Sequence, residues 1–403
     1  MNRCVAIFLS CFALLCLGFS ANALSRAQAK GTGPAQGPAE APAQFAYRGD
    51  AAQIPAEFIG NIALLPVRLN QSRSSLFVLD STASTSSIDP SRLSALGVAA
   101  TQAPVLNLNG VDLAFAALPA IAREDFGPRI GRVYEGTLGN DFFQRVVVEI
   151  DYARQTVRLY DPATYTYSGN GTALHLTFAA GLPLISAKFT NSKGKVLEGD
   201  FVVSTALDAS TVVFDRYAES HRIFSSHWKT IPSVDPALNG SGGAVVGRLE
   251  GLQLGRYTAQ GTLVTFSRSD LPGTSDPHIA GLIGAGMLAR FTVVFDYPHQ
   301  QLIVAPNSHF PSDDQEDKSG ISVVANGNML RTFEVVEVTP GTPAAKAGIQ
   351  KGDIIAGIDE DPAADLTLAE IRELFRQIGH KYTLVIERNG QSKRITVEMR
   401  RQI

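Results

Sequence analysis

Apolar residues in this chain come in short runs bounded by Gly, Asn, Asp, Pro and Ser, the patterning of strands joined by turns. Between residues 45 and 170 the runs 62–69, 76–80, 105–113, 146–151 and 156–160 predict strands; between 171 and 307 the runs 184–189, 196–203, 249–254, 261–266 and 291–304 do the same. One short helix is predicted over 89–97, opened by Asp89-Pro90 and closed by Gly97. The pattern changes at 308–319, where Asp313, Asp314, Glu316, Asp317 and Lys318 crowd a stretch with no apolar spacing, which reads as a linker. Beyond it, residues 320–403 predict a small mixed domain: strand 332–338, a turn and short helix over 340–349, strand 351–358, an amphipathic helix over 367–377, and closing strands 382–388 and 393–399. Leu368, Ile371, Leu374 and Phe375 share one face of that helix.

The two strand-rich regions repeat one another. Phe77-Val78-Leu79-Asp80-Ser81-Thr82-Ala83-Ser84 carries an apolar strand into an acid and a hydroxyl cluster, and Phe201-Val202-Val203-Ser204-Thr205-Ala206-Leu207-Asp208 carries the same lead-in into a similar turn. Gly136-Thr137-Leu138-Gly139, followed by Asp151-Tyr152, is echoed by Gly281-Leu282-Ile283-Gly284, followed by Asp296-Tyr297. Landmarks in the same order twice indicate an internal duplication, with lobes at 45–170 and 171–307. An Asp-Ser-Thr cluster alone is ordinary turn chemistry; its recurrence makes Asp80 the candidate site.

Residues 1–23 begin with Arg3, continue almost wholly apolar and end in Ala21-Asn22-Ala23, the layout of a signal peptide. The mature protein is therefore expected outside the cytoplasm, periplasmic or extracellular, with an uncleaved membrane anchor as the alternative. Residues 24–44, rich in Ala, Gly, Pro and Gln, read as a flexible linker. Cys4, Cys11 and Cys16 all fall in the leader, which excludes disulfides, a thiol nucleophile and Cys-ligated zinc from the mature chain. A net charge of −3 gives no electrostatic reason to expect a nucleic-acid partner. His221 and His227 have the wrong spacing for one helical face, and no metal or cofactor is expected. Gly284-Ala285-Gly286-Met287-Leu288-Ala289 satisfies a dinucleotide-binding pattern, but Asp296 follows too soon to be its ribose-binding acid. The Pro- and Gly-containing stretch 225–247 is either a flap over a cleft or a surface hairpin.

Taken together, an apolar strand entering a hydroxyl-rich loop, the Gly-x-x-Gly turn and the Asp-Tyr strand, each present twice, with Asp80 in the first of the loops, resemble retropepsin-like and pepsin-like aspartic peptidases, in particular bacterial two-lobe forms with a C-terminal PDZ domain. The resemblance implies a mainly β fold, with duplicated β-barrel lobes and a small α+β PDZ domain over 320–403. In that family each lobe supplies one aspartate, and the two carboxylates share a proton and activate water. This sequence departs from the pattern at the chemistry. Asp80 and Ser81 keep the first loop, whereas Ser204 and Thr205 stand where the second aspartate and its neighbour would be, and Thr82 and Ala206 replace the family glycines. A β-branched Thr82 is expected to crowd the loop. Asp208, four residues on, is the alternative second carboxylate. In the PDZ domain, Gly320, Ile321 and Ser322 are the candidate carboxylate loop, and Leu368, Ile371 and Phe375 either line the peptide groove or fill the core. The expected function is a degenerate peptidase that binds extended peptides, unfolded protein or protein C-termini. The alternative is an active aspartic endopeptidase that uses Asp80 with Asp208 or with a second subunit.

Overall fold

The computed structural model describes residues 42–403 except 47–50, 71, 94–103, 124–125, 192, 224–227, 234, 236–237, 239–242, 268–273 and 275. The leader at 1–23, the linker as far as residue 41, the end of the helix expected at 89–97, His227 and the centre of the stretch 225–247 lie outside the described residues. Among those described, the fold is mainly β, with curled sheets in two lobes and a C-terminal PDZ domain.

The first lobe is an eight-stranded sheet built around Ile62–Leu69 and Ser74–Leu79, and the second a ten-stranded sheet built around Leu182–Thr190 and Val196–Val203. A six-stranded sheet joins them, with Val147–Asp151 of the first lobe paired antiparallel to Phe291–Asp296 of the second. These are the two strands that carry the Asp-Tyr landmarks, so the duplication meets itself at the lobe interface. Phe143 and Phe295 pack edge to face at 5.4 Å and Phe143 stacks on Tyr297 at 5.0 Å, extending one apolar core across both lobes.

Two runs expected as single strands are hairpins. The run 105–113 divides into Val105–Leu108 and Val111–Ala114 because Asn109 and Gly110 both take positive φ, +48° and +92°, the backbone of a tight two-residue turn. The run 291–304 likewise reverses after Asp296 and returns as Gln301–Pro306. At 89–97, the described part is a single 3-10 turn, Pro90–Arg92, capped by the Asp89 carboxylate.

The PDZ domain has its own apolar core, formed by Phe333, Val335, Ile355, Leu384, Ile386 and the buried face of helix Leu368–Arg376. Thr367 and Glu370 cap that helix reciprocally: Thr367 Oγ1 accepts from the Glu370 amide at 3.2 Å and the Thr367 amide donates to Glu370 Oε2 at 2.6 Å. The charged stretch before the domain is not free. Asp314 takes Arg290 at 2.6 Å, and the buried Glu316 takes both Arg248 at 2.8 Å and Lys318 at 3.0 Å, which fastens the approach to the PDZ domain onto the second lobe. The spacing of apolar residues carries no sign of such anchoring, because charge pairs make it.

Candidate functional site

In the first lobe, Ser74–Leu79 runs parallel to Gly136–Leu138, whose other neighbour is the antiparallel Ser87–Ile88. In the second, Val196–Val203 runs parallel to Ile279–Ile283, whose other neighbour is the antiparallel Thr211–Phe214. Each arrangement leaves one loop at the end of its leading strand, and the backbone fixes their equivalence: the Asp80 amide donates to Leu138 O at 3.0 Å and the Ser204 amide to Ile283 O at 2.9 Å. Gly139 and Gly284 permit the close approach these loops require. A Cβ on Gly139 would stand 2.6 Å from the Thr85 carbonyl and one on Gly284 2.1 Å from the Ala209 oxygen. That contact accounts for a glycine of the dinucleotide-like pattern at 284–289.

Four reciprocal hydrogen bonds tie the loops together. Ser81 Oγ donates to Val203 O at 2.7 Å and accepts from the Thr205 amide at 3.1 Å, while Thr205 Oγ1 donates to Leu79 O at 2.6 Å and accepts from the Ser81 amide at 3.0 Å. All of these groups are buried, so each hydroxyl satisfies two backbone groups that would otherwise be stranded away from water. The arrangement sets Asp80 and Ser204 in equivalent positions on the two sides of the interface.

The Asp80 carboxylate is fully engaged. One oxygen accepts from the Thr82 amide at 2.9 Å and the Thr82 hydroxyl at 2.6 Å; the other takes Arg123 Nη1 at 2.9 Å. Thr82, in place of the family glycine, turns its hydroxyl onto the carboxylate. Arg123 also donates to Thr137 Oγ1 at 3.3 Å, its guanidinium lies 4.6 Å over the Phe126 ring, and its carbonyl accepts from the Tyr134 hydroxyl at 3.1 Å. Burial pushes the Tyr134 phenol up to about 12, against the pull of the Arg123 charge. On the far side the buried Tyr297 hydroxyl reaches Ser81 O at 3.5 Å, and burial, reinforced by the Asp80 charge, raises its pKa well above the ordinary value.

Asp208 is directed elsewhere. Its Oδ1 accepts from the Asn61 side chain at 2.9 Å and the Asn61 amide at 3.2 Å, at the tip of the hairpin between Glu57–Ile59 and Ile62–Leu69. Among the described residues, Asp80 bonds to Thr82 and Arg123 and Asp208 to Asn61, with no hydrogen bond between the two acids. Asp208 instead borders a cavity of about 460 Å³ that also touches Arg129, Ile130, Ser322, Val323 and Arg372. The PDZ residues divide: Leu368, Ile371 and Phe375 are all buried in the domain core, with Phe375 also bordering the cavity, while Ser322 lines it. The Gly320 and Ile321 amides are bonded within their own loop, to the Asp317 carboxylate at 2.6 Å and to Ser319 Oγ at 3.1 Å. Among the described residues no group of three or more His, Cys, Asp or Glu side chains is placed to hold a metal ion.

Sequence reasoning missed Arg123, Asn61 and Arg372. Arg123 lies 43 positions from Asp80 in a segment without strand or helix periodicity, and nothing local marks it as the partner of a carboxylate.

Residues 319–399 match the PDZ domain family, which identifies the C-terminal domain. No curated protein matches the chain. Among solved structures, the aspartic proteinase from Irpex lacteus aligns with 65% of this chain and 98% of its own length, at 13% identity and a TM-score of 0.37. The photosystem II D1 C-terminal processing protease aligns with 22% of this chain at 22% identity and a TM-score of 0.20, and the chain spans only 23% of that protease. Likenesses this distant add nothing to what the strand pairing itself shows about the lobes.

Proposed function

We propose that this chain is an exported, protease-related PDZ protein that holds extended polypeptide in a two-lobe cleft without cutting it. The observation that carries the proposal is the Asp80–Arg123 ion pair at 2.9 Å, with Ser204 in the equivalent position of the other lobe. Aspartic-peptidase chemistry needs two carboxylates that share one proton, one to take a proton from water and the other to give one to the peptide. A guanidinium has donors only and does not give up its proton, and a serine hydroxyl is not an acid near neutral pH. The site therefore keeps the cross-lobe ties of such a scaffold and lacks its acid-base pair. Using Asp208 as the second carboxylate would require it to leave Asn61 and reach the loop interface, so the enzymatic alternative draws no support from its position. The PDZ domain supports a peptide partner, since such domains take extended segments on a sheet edge.

Fluorescence anisotropy with a labelled, reduced and carboxymethylated protein, which stays unfolded, tests the binding. The expected result is saturable binding with the probe recovered at full length. Absence of saturable binding, or recovery of fragments, would overturn the reading.

A further inference from the structure

A PDZ domain binds by adding a peptide strand to its edge strand and placing the peptide carboxylate on the amides of the preceding loop. In this chain Ile321–Asn326 is an edge strand of the PDZ sheet, and the chain's own side chains already bond the loop amides before it and one of its carbonyls. The Ser319 and Gly320 amides donate to the Asp317 carboxylate at 2.9 and 2.6 Å, and the Ile321 amide to Ser319 Oγ at 3.1 Å. An incoming carboxylate would have to displace one of the same charge. Arg372 reaches across from helix Leu368–Arg376 to the Val323 carbonyl at 3.1 Å, taking a backbone acceptor of the edge strand. Arg372 borders the cavity, where burial lowers its pKa and Asp208 and Asp235 of the second lobe oppose that shift. Finally, helix Phe126–Ile130 of the first lobe lies against the edge strand, and Gly131, at φ +73°, lies so close to the PDZ helix that a Cβ there would stand 2.6 Å from Leu368 Cβ.

We infer that the PDZ groove is held shut by the chain's own first lobe, and that opening it withdraws Arg123 from Asp80. The segment that covers the groove begins at Phe126, the ring on which the Arg123 guanidinium stacks. A strand entering the groove must displace Arg372 and residues 126–131, and the movement of Phe126 takes away the support of Arg123. Occupancy of the PDZ domain is thereby coupled to the charge state of the interlobe site. The inference rests on the peptide-binding reading for its ligand, but its test uses none, so the two fail separately.

Hydrogen exchange followed by mass spectrometry on the full mature chain, parent beside Gly131→Gln and Arg372→Ala, tests it. Gly131→Gln drives a side chain into Leu368; Arg372→Ala removes the bridge to Val323 and leaves every first-lobe residue unchanged. Slow exchange over 126–131 and 321–326 is expected in the parent, with both segments and the loop 80–84 accelerating together, tenfold or more, in Arg372→Ala and again in Gly131→Gln. Fast exchange over 321–326 in the parent would overturn the inference. So would an Arg372→Ala chain in which 126–131 and 80–84 keep the parent rate.

Discussion

The Asp80 side chain is 4% exposed and that of Arg123 30%, so removing the arginine strands a buried carboxylate while removing the acid releases a cation that can reach water. Arg123→Ala is expected to lower the unfolding free energy by about 2–4 kcal/mol, toward the lower end of what breaking a buried pair costs because Arg123 is partly solvated. Adding Asp80→Asn to it should recover part of that loss; urea unfolding of the parent and the two variants measures both. Tyr152 and Tyr297 act at the other end of the pH scale. Burial raises both phenols, the charge of Asp208 adding to the first and that of Asp80 to the second. A folded-state pKa above the unfolded value of about 10 leaves their contribution intact below that pH and removes it as pH rises further. The double variant Tyr152→Phe with Tyr297→Phe should accordingly lose less stability than the parent between neutral and strongly alkaline pH, read from thermal unfolding at each pH. Asp80 was visible in the sequence because a strand delivers it to a turn of hydroxyls. Arg123 was not, since its role depends on a tertiary approach that leaves no local pattern.

Among the elements, the paired loops are held more by hydroxyls than by the acid. Ser81→Ala leaves Val203 O and the Thr205 amide without their partners, and Thr205→Val leaves Leu79 O and the Ser81 amide so. Each substitution should cost about 2–6 kcal/mol, two stranded backbone groups at about 1–3 kcal/mol apiece, measurable as a shift in the urea midpoint. In the PDZ domain the corresponding fixture is Asp353, 1% exposed, which receives Arg388 through two bonds of 2.6 and 2.7 Å and also accepts from the Gln350 amide at 2.8 Å. Asp353→Ala is expected to destabilise that domain by about 3–5 kcal/mol, with faster hydrogen exchange confined to residues 320–403. The duplication was legible because the two halves share their lead-in residues and their glycines, and glycine is needed where loop backbones touch, as at Gly139 and Gly284. The hairpin at 105–114 was misread as one strand although Asn109-Gly110 states the turn, because apolar residues continue on both sides of it.

On the scale of the molecule, two similar lobes meet in a shared sheet, and a PDZ domain is fastened to the second lobe through Arg248, Glu316, Lys318, Arg290 and Asp314. A duplicated scaffold of this kind places two loops face to face, and catalysis then depends on what each loop carries. In this chain one carries a carboxylate paired with Arg123 and the other a serine, so the loops present no pair of carboxylates to share a proton. The anchoring of the PDZ domain was not legible, since runs of Asp, Glu and Lys in sequence look the same whether they are solvated or paired. The central claim is that the site does not cleave, and the most direct measurement is digestion of a denatured protein mixture by the purified chain over residues 24–403 beside Asp80→Asn, from acid to mildly alkaline pH, with fragments read by mass spectrometry. No new peptide ends at any pH, and no difference between the two proteins, is the result predicted; cleavage by the parent that Asp80→Asn abolishes would contradict it.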